Sequence, residues 1–397
     1  MYKADFPIFF NQQLIYLDSA ASAQKPEVVL DAMDTFYKTI YSNVHRGNCA
    51  MAITATEQYE QARQTVADFI HTTPQNIVFT KGTTEAVNLI ASGFTQLLKP
   101  GDEVLISMAE HHAVFVPWQQ ACLKSGATFK IVNILPDGRL DMDDLNAKLS
   151  PKTKLVAIAQ MSNVLGVINP VAEIARLAHA VGALMLVDGA QSVAHLPIDV
   201  AQLDCDYFVF SGHKIYGPTG IGVLYGKKEA LELLPPYQFG GDMIKEVSSE
   251  KTIFAELPAR LEAGTPPIVE TIGLAAALRY VSKIGMAQIA AYEQELTQQL
   301  TDELVQIENI QILGDPALKS GIVAFTVQNV HPADLAFVLS KQNICVRVGH
   351  HCAMPIHQCF HQSVSLRVSL GLYNTAEDIQ IFIQSLKKAL MLFKGIK

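Results

Sequence analysis

A surplus of cations is missing from this chain of 397 residues: 30 Lys and Arg stand against 38 Asp and Glu, for a net charge of −8. Nucleic-acid backbones and anionic membranes are recognised through clustered cations, so neither is an expected partner. Long apolar runs are missing as well, and none approaches the roughly 18 residues that a bilayer crossing needs. The segment Met1–Phe10 lacks the basic-then-apolar pattern of a secretion leader. Six cysteines in so long a chain do not make a disulfide scaffold, and the thiols read as reduced. A soluble cytoplasmic protein is expected. There is also no internal repeat, charge block or low-complexity linker.

What is present supports a large core, since 49% of the residues are hydrophobic. The length exceeds the roughly 100–200 residues of one domain, so two packed units are expected. Short apolar or β-branched runs at 77–80, 103–107, 128–132, 154–159, 184–187, 207–210 and 221–224 alternate with amphipathic stretches such as 84–97, 116–125, 171–181 and 227–233. Such alternation predicts an α/β unit, a mostly parallel sheet with helices on both faces. After residue 268, helical stretches at 270–284 and 287–305 lead to strands near 322–327, 344–348 and 365–368, with helices at 332–341 and 375–392. This reads as a smaller α+β unit. The expected division is 16–267 for the large unit, and 1–15 with 268–397 for the small one.

Two clusters carry the strongest chemical signal: Asp188-Gly189-Ala190-Gln191 and Ser211-Gly212-His213-Lys214. Each follows a candidate parallel strand, where α/β sheets place their ligands. Together they meet the needs of pyridoxal phosphate (PLP). A lysine amine forms a Schiff base with the cofactor aldehyde, and a carboxylate keeps the pyridine nitrogen protonated. Lys214 and Asp188 suit those roles. Gln191 suits the ring oxygen, and Ser211 and His213 suit the phosphate. Alone, Asp-Gly is an ordinary turn and a lysine an ordinary surface charge; the pairing at neighbouring strand ends makes the signal. Lys81-Gly82-Thr83-Thr84-Glu85 lies between a strand and a helix, and places Thr84 where a helix N-terminus cradles phosphate, although it also reads as a capping sequence. In Glu110-His111-His112, either imidazole is able to stack on a ring and move protons near neutral pH.

A last set surrounds a thiol, in Arg347-Val348-Gly349-His350-His351-Cys352. Thiolate is the reactive form, and nearby cations favour it. The competing reading is zinc, because His350, His351, Cys352, His357, Cys359 and His361 are close in sequence, but their spacing fits no familiar zinc motif. No metal is expected. Arg367 ends a late strand, and its planar guanidinium suits a substrate carboxylate. Asn163, after another strand, is placed to share that contact.

Read together, these clusters resemble the group II cysteine desulfurases, the SufS/CsdA type among the NifS-like PLP enzymes. The likeness runs from Tyr16-Leu17-Asp18-Ser19-Ala20-Ala21 and Asn43-Val44-His45-Arg46-Gly47 to Glu262-Ala263-Gly264-Thr265-Pro266. Its most specific stretches are residues 211–222 and Gly349-His350-His351-Cys352-Ala353-Met354-Pro355. The resemblance implies a fold-type I PLP enzyme acting as a homodimer. Lys214 would be the Schiff-base lysine, with Asp188 on the pyridine nitrogen and Gln191 on the ring oxygen. His111 would be the stacking imidazole. Thr84, Ser211 and His213 would bind phosphate, joined by Thr265 from the second subunit. Arg367 and Asn163 would hold the substrate carboxylate, with Arg347 and His45 lining the site. Cys352 would take sulfur from L-cysteine as a persulfide, releasing L-alanine. An acceptor of the SufE/SufU kind would then carry the sulfur toward iron–sulfur cluster assembly. L-selenocysteine would be handled by the same residues; an aminotransferase would have no use for the Cys352 loop. The sequence departs from the family at Pro267, commonly asparagine, and at Phe239, commonly glycine.

Overall fold

The structure, a computed structural model, describes residues 2–394. The runs between residues 77 and 226 form one seven-stranded sheet. Its order is Ile77–Thr80, Gly222–Gly226, Tyr207–Ser211, Leu184–Asp188, Thr153–Ala159, Glu103–Ser107, Thr128–Val132. Gly222–Gly226 runs antiparallel to both neighbours, and every other pairing in the sheet is parallel. The reversal has a local cause. Residues 212–221 contain no crossover helix, and parallel neighbours need a connection of about a dozen residues or more.

Apart from the edge strand Thr128–Val132, the strands are largely buried on both faces because both faces are covered. Alternate side chains enter different cores, as the pleat requires. Val156, Ile158, Met185 and Val187 join the core beneath the helices Ala50–Phe69, Val171–Ala180 and Ile268–Ile284. Leu155, Ala157 and Leu186 join the other, beneath Thr83–Leu97 and His112–Ser125.

A second, antiparallel sheet has the order Ile310–Ile312, Ile322–Val327, Ser365–Ser369, Arg347–Gly349. Helices Met286–Val305, Pro332–Ser340 and Ala376–Lys394 contribute to its core. The short strand Ile15–Tyr16 pairs with Ile344–Cys345, tying the N-terminal stretch to this unit. Helix Ile268–Ile284, by contrast, packs on the helices Glu27–Thr39 and Ala50–Phe69, and its apolar side chains enter a core of the large sheet. The expected division put this helix in the small unit. We propose that the units divide after it, at Gly285, because a helix is held by where its apolar face is buried.

Candidate active site

One cavity of about 270 Å³ lies where the C-terminal ends of the large sheet's parallel strands meet the small sheet. Of the thirteen residues singled out from the sequence, it is lined by Thr84, His111, Asn163, Asp188, Gln191, Ser211, His213, Lys214, Arg347, Cys352 and Arg367. His45 and Thr265 are not there. His45 lines a separate hollow and its Nε2 pairs with Glu60 at 2.9 Å. Thr265 lines another, with Lys81, Glu85 and Tyr237. Their segments are joined instead to the loop around Asp242, through Arg46–Asp242 at 2.9 Å and Gly264 N–H donating to Gly241 O at 3.0 Å. Phe239 is exposed against Phe254, and Pro267 caps the start of the helix at Ile268.

The large-sheet wall is built from strand ends. Asp188 closes its strand and is 5% exposed, and Ala190 N–H donates to its Oδ1 at 2.8 Å. Gly189 allows this corner, because a Cβ there would stand 2.0 Å from the Phe208 ring. Lys214 ends the short turn after the neighbouring strand and is part-exposed, toward the cavity that it lines. Burial lowers the Lys214 amine, with Asp188 opposing and Arg367 reinforcing the shift. Burial raises the Asp188 carboxyl, and the Lys214 charge pulls it back. Each therefore depends on the other, or on a bound partner, to hold its charge.

The wall expected to take phosphate depends on close backbone approach. A Cβ on Gly222 would lie 2.4 Å from Gly82, so only glycine lets these segments touch. Ser211 Oγ accepts from Thr83 N–H at 2.8 Å and pairs with Thr83 Oγ1 at 2.9 Å. Thr83 thus belongs to this wall, and its place beside Thr84 in the Gly-Thr-Thr turn was the signal for it. His213 is lowered to about 4, mainly by burial, with Lys214 and Lys25 adding repulsion. Gln191 Nε2 donates to Ala20 O at 2.9 Å, which brings Ala20 and Ala21 over the cavity.

His111 caps the helix His112–Ser125, its Nδ1 accepting from Ala113 N–H at 3.0 Å. The proton of the neutral ring is therefore on Nε2. Burial, followed by Lys214, His112 and Arg367, lowers this imidazole to about 3. Directly behind it, Glu110 is fully buried. Its Oε1 accepts from Ser107 Oγ at 2.5 Å, and its Oε2 accepts from Ala159 N–H at 3.0 Å. Ala159 is the register partner of Asp188, so Glu110 fastens the strand end beside that carboxylate.

The opposite wall comes from the small sheet. His351 and Cys352 both take left-handed backbone conformations, at φ 50° and 55°, which non-glycine residues adopt sparingly. Surrounding bonds hold them there. Asn163 Nδ2 donates to His351 O at 2.7 Å, and His112 N–H donates to Cys352 O at 2.6 Å. His351 Nε2 and His357 Nε2 each lie 3.0 Å from Ser365 Oγ, and His357 Nδ1 lies 3.1 Å from Ala353 O. A carbonyl only accepts, so His357 carries its proton on Nδ1. Ser365 then donates to His357, and His351 donates to Ser365. Two of the histidines that suggested zinc, His351 and His357, thus brace the loop. Asn163, expected at a substrate carboxylate, has one side-chain N–H committed to the loop backbone. Cys352 itself is exposed.

Arg367 is buried. Its Nη1 donates to Asn163 O at 3.0 Å and its Nη2 to Asp18 Oδ1 at 3.1 Å, while its Nε has no partner among the described residues. Arg347 Nε reaches both oxygens of the same Asp18, at 3.1 and 3.0 Å, and its Nη2 reaches Oδ2 at 2.9 Å. Asp18 was only part of a resembling stretch in the sequence, and nothing local marked it as a site residue.

Residues 15–382 match the family described as aminotransferase class-V. The cysteine desulfurase of Dickeya dadantii (strain 3937) is 46% identical over 393 residues, covering 97% of this chain and 95% of that protein. The structure of the Escherichia coli cysteine desulfurase CsdA, in an S-sulfonic acid form, is 38% identical with a TM-score of 0.93 and covers 98% of both chains. A C-DES mutant with glycine covalently linked to its PLP cofactor is 25% identical with a TM-score of 0.83, covering 97% of this chain and 98% of that one.

Proposed function

Because this chain belongs to the aminotransferase class-V family, we infer that its cavity is the catalytic centre of a PLP-dependent cysteine desulfurase. The observation that carries the residue assignment is a single cavity with a buried carboxylate and a lysine amine on one wall, and an exposed thiol beside two guanidiniums on the other. The residues fit the cofactor. Lys214 would hold its aldehyde carbon, Asp188 its ring nitrogen, Gln191 its ring oxygen and His111 its ring face. Thr84, Ser211 and His213 would take the phosphate. When bound, PLP withdraws electrons from the substrate's α-carbon.

The protein's own groups do the rest. Arg367, with Asn163, orients the carboxylate of L-cysteine. The lowered basicity of Lys214 leaves more neutral amine near pH 7, the form that accepts a proton from carbon. His111 presents a neutral ring with its proton on Nε2. Cys352, as thiolate, attacks the substrate sulfur. An S–S bond forms, the Cβ–S bond breaks, and its electron pair stays with Cβ, which takes a proton to become the methyl group of L-alanine. Two thiols become one persulfide and one C–H bond, so no external oxidant is needed.

We assign His45 and Thr265 to the cavity of a second copy in a homodimer. In support, Val28, Leu30, Tyr37, Met51 and Ile53 leave apolar surface exposed on the first two long helices. A sulfur acceptor of the SufE/SufU kind would reach Cys352 along the adjoining groove lined by Asn88, Ser92, His112, Val116 and Tyr237. Iron–sulfur cluster assembly in the cytoplasm is the destination that we propose. Among the described residues, no helix is long and apolar enough to cross a membrane. Incubation of the PLP-loaded protein with L-cysteine should give alanine and protein-bound persulfide in equal amounts before turnover. Release of pyruvate and ammonia, with no alanine and no persulfide, would reject the assignment.

A further inference from the structure

The two site arginines face a problem that their own sheet creates. Arg347 and Arg367 are register partners on neighbouring antiparallel strands, and like charges directly opposite repel. Asp18 lies against both, and among the described residues every side-chain hydrogen bond that its carboxylate makes goes to one or the other. The backbone around Asp18 does not need that carboxylate. Leu17 N–H donates to Cys345 O at 2.9 Å, Ser369 N–H to Leu17 O at 2.8 Å, and Ser19 N–H to Ser369 O at 3.3 Å, which fix the segment independently.

Two positive charges and one negative leave a net of +1, which matches one substrate carboxylate. Arg367 has five N–H groups, of which Asp18 and Asn163 O each engage one, and its buried Nε–H has no partner among the described residues. Through Arg347, the same carboxylate holds the strand Arg347–Gly349, from which Cys352 follows directly.

We propose that Asp18 is a positioning residue for the desulfurase reaction: it orients Arg367 for the substrate carboxylate and, through Arg347, sets the base of the Cys352 loop. One side chain thereby fixes the distance between the point where substrate is held and the point where its sulfur is taken. The proposal rests on the assignment of Arg367 to the substrate carboxylate and of Cys352 to sulfur.

The test compares Asp18→Asn, Arg367→Ala and the double variant, all PLP-loaded. Asp18→Asn removes the charge and keeps the shape. It should raise KM for L-cysteine about ten-fold, the lower end for losing a charge-assisted contact. In the Arg367→Ala background it should raise KM no further, because Asp18 acts on KM through that arginine. A second readout is independent of turnover: alkylation of Cys352 by iodoacetamide should change at least about three-fold in Asp18→Asn, and no further when Arg347→Ala is already present. An unchanged KM, or KM effects that multiply in the double variant, would overturn the proposal. If Asp18→Asn does not fold, Asp18→Glu, which keeps the charge but moves it by one methylene, takes its place with the same expectations. Failure of both to fold would make Asp18 a fold residue only, and would equally overturn it. If Arg367→Ala itself leaves KM unchanged, the substrate-carboxylate assignment fails instead.

Discussion

Asp188 and Lys214 stand at the ends of neighbouring strands inside the large sheet, whereas Cys352 sits exposed just beyond an edge strand of the small one. On the first wall, burial itself is the chemical device: it lowers the amine and raises the carboxyl, making each responsive to a partner's charge. On the second wall the device is conformational. Two consecutive left-handed residues lift a thiol to the surface, and hydrogen bonds from Asn163, His112 and the Ser365 bridge hold them there. Strain of this kind persists only where the surroundings over-determine it. The contrast suits the roles that we propose, in which one group stays fixed against a cofactor and another hands sulfur onward.

Breaking the first wall should have the largest effect. Lys214→Ala removes the amine that we assign to holding the cofactor and moving protons, so turnover of L-cysteine should fall by roughly 10²–10⁴-fold or more. Borohydride should no longer fix PLP to the polypeptide, as mass spectrometry of the reduced protein would show; an adduct retained on another lysine would remove Lys214 from the role. Breaking the second wall should separate binding from cleavage. Cys352→Ala should bind PLP and still shift the cofactor absorbance when L-cysteine is added, yet make no alanine from it. Alanine formation at the wild-type rate would show that sulfur goes elsewhere.

The smallest effect sharpens the account of the buried wall. Burial pushes the Glu110 carboxyl from its ordinary 4.5 up to about 8; its Ser107 and Ala159 bonds oppose this and the Asp188 charge adds to it. A carboxyl raised on folding contributes stability fully below its unfolded pKa, and that contribution is lost as pH rises through the folded value. Between about pH 4.5 and 8, stability should therefore decline with a slope of up to about 1.4 kcal/mol per pH unit from this one group. Glu110→Gln, which carries no titrating proton, should flatten that decline in urea midpoints measured across the range. A slope identical to wild type would mean that Glu110 does not fold as the neutral acid.

Much of both walls was legible along the chain. The large-sheet strands came within one or two residues at each end, because runs buried on both faces are continuously apolar and are punctuated by glycine and polar turns. Lys214, Asp188 and Ser211 were legible for a related reason: in α/β sheets, chemistry collects where parallel strands end. The second wall was read less completely. Asp18 lies more than three hundred positions from the arginines that it joins, and no local pattern marks such a contact. The histidines near Cys352 are close enough in sequence to raise a zinc reading, though their spacing fits no familiar motif, and only Ser365, brought alongside by the sheet, shows His351 and His357 to be a brace.

By itself, the sequence determined the elements and the kinds of chemistry: apolar strand runs and helical patterns, glycines at close approaches, a lysine and a carboxylate after strands, a thiol after a strand. Those are local properties, set by backbone sterics and by which side chains water excludes. Tertiary structure alone decided which groups meet. It gathered eleven of the expected residues around one cavity and kept His45 and Thr265 outside it. It also turned Asn163 toward the Cys352 loop and set one aspartate between two facing arginines. The physical reason is that charge pairing and burial act through space, and the distance between two groups is fixed only when the sheets that carry them have packed.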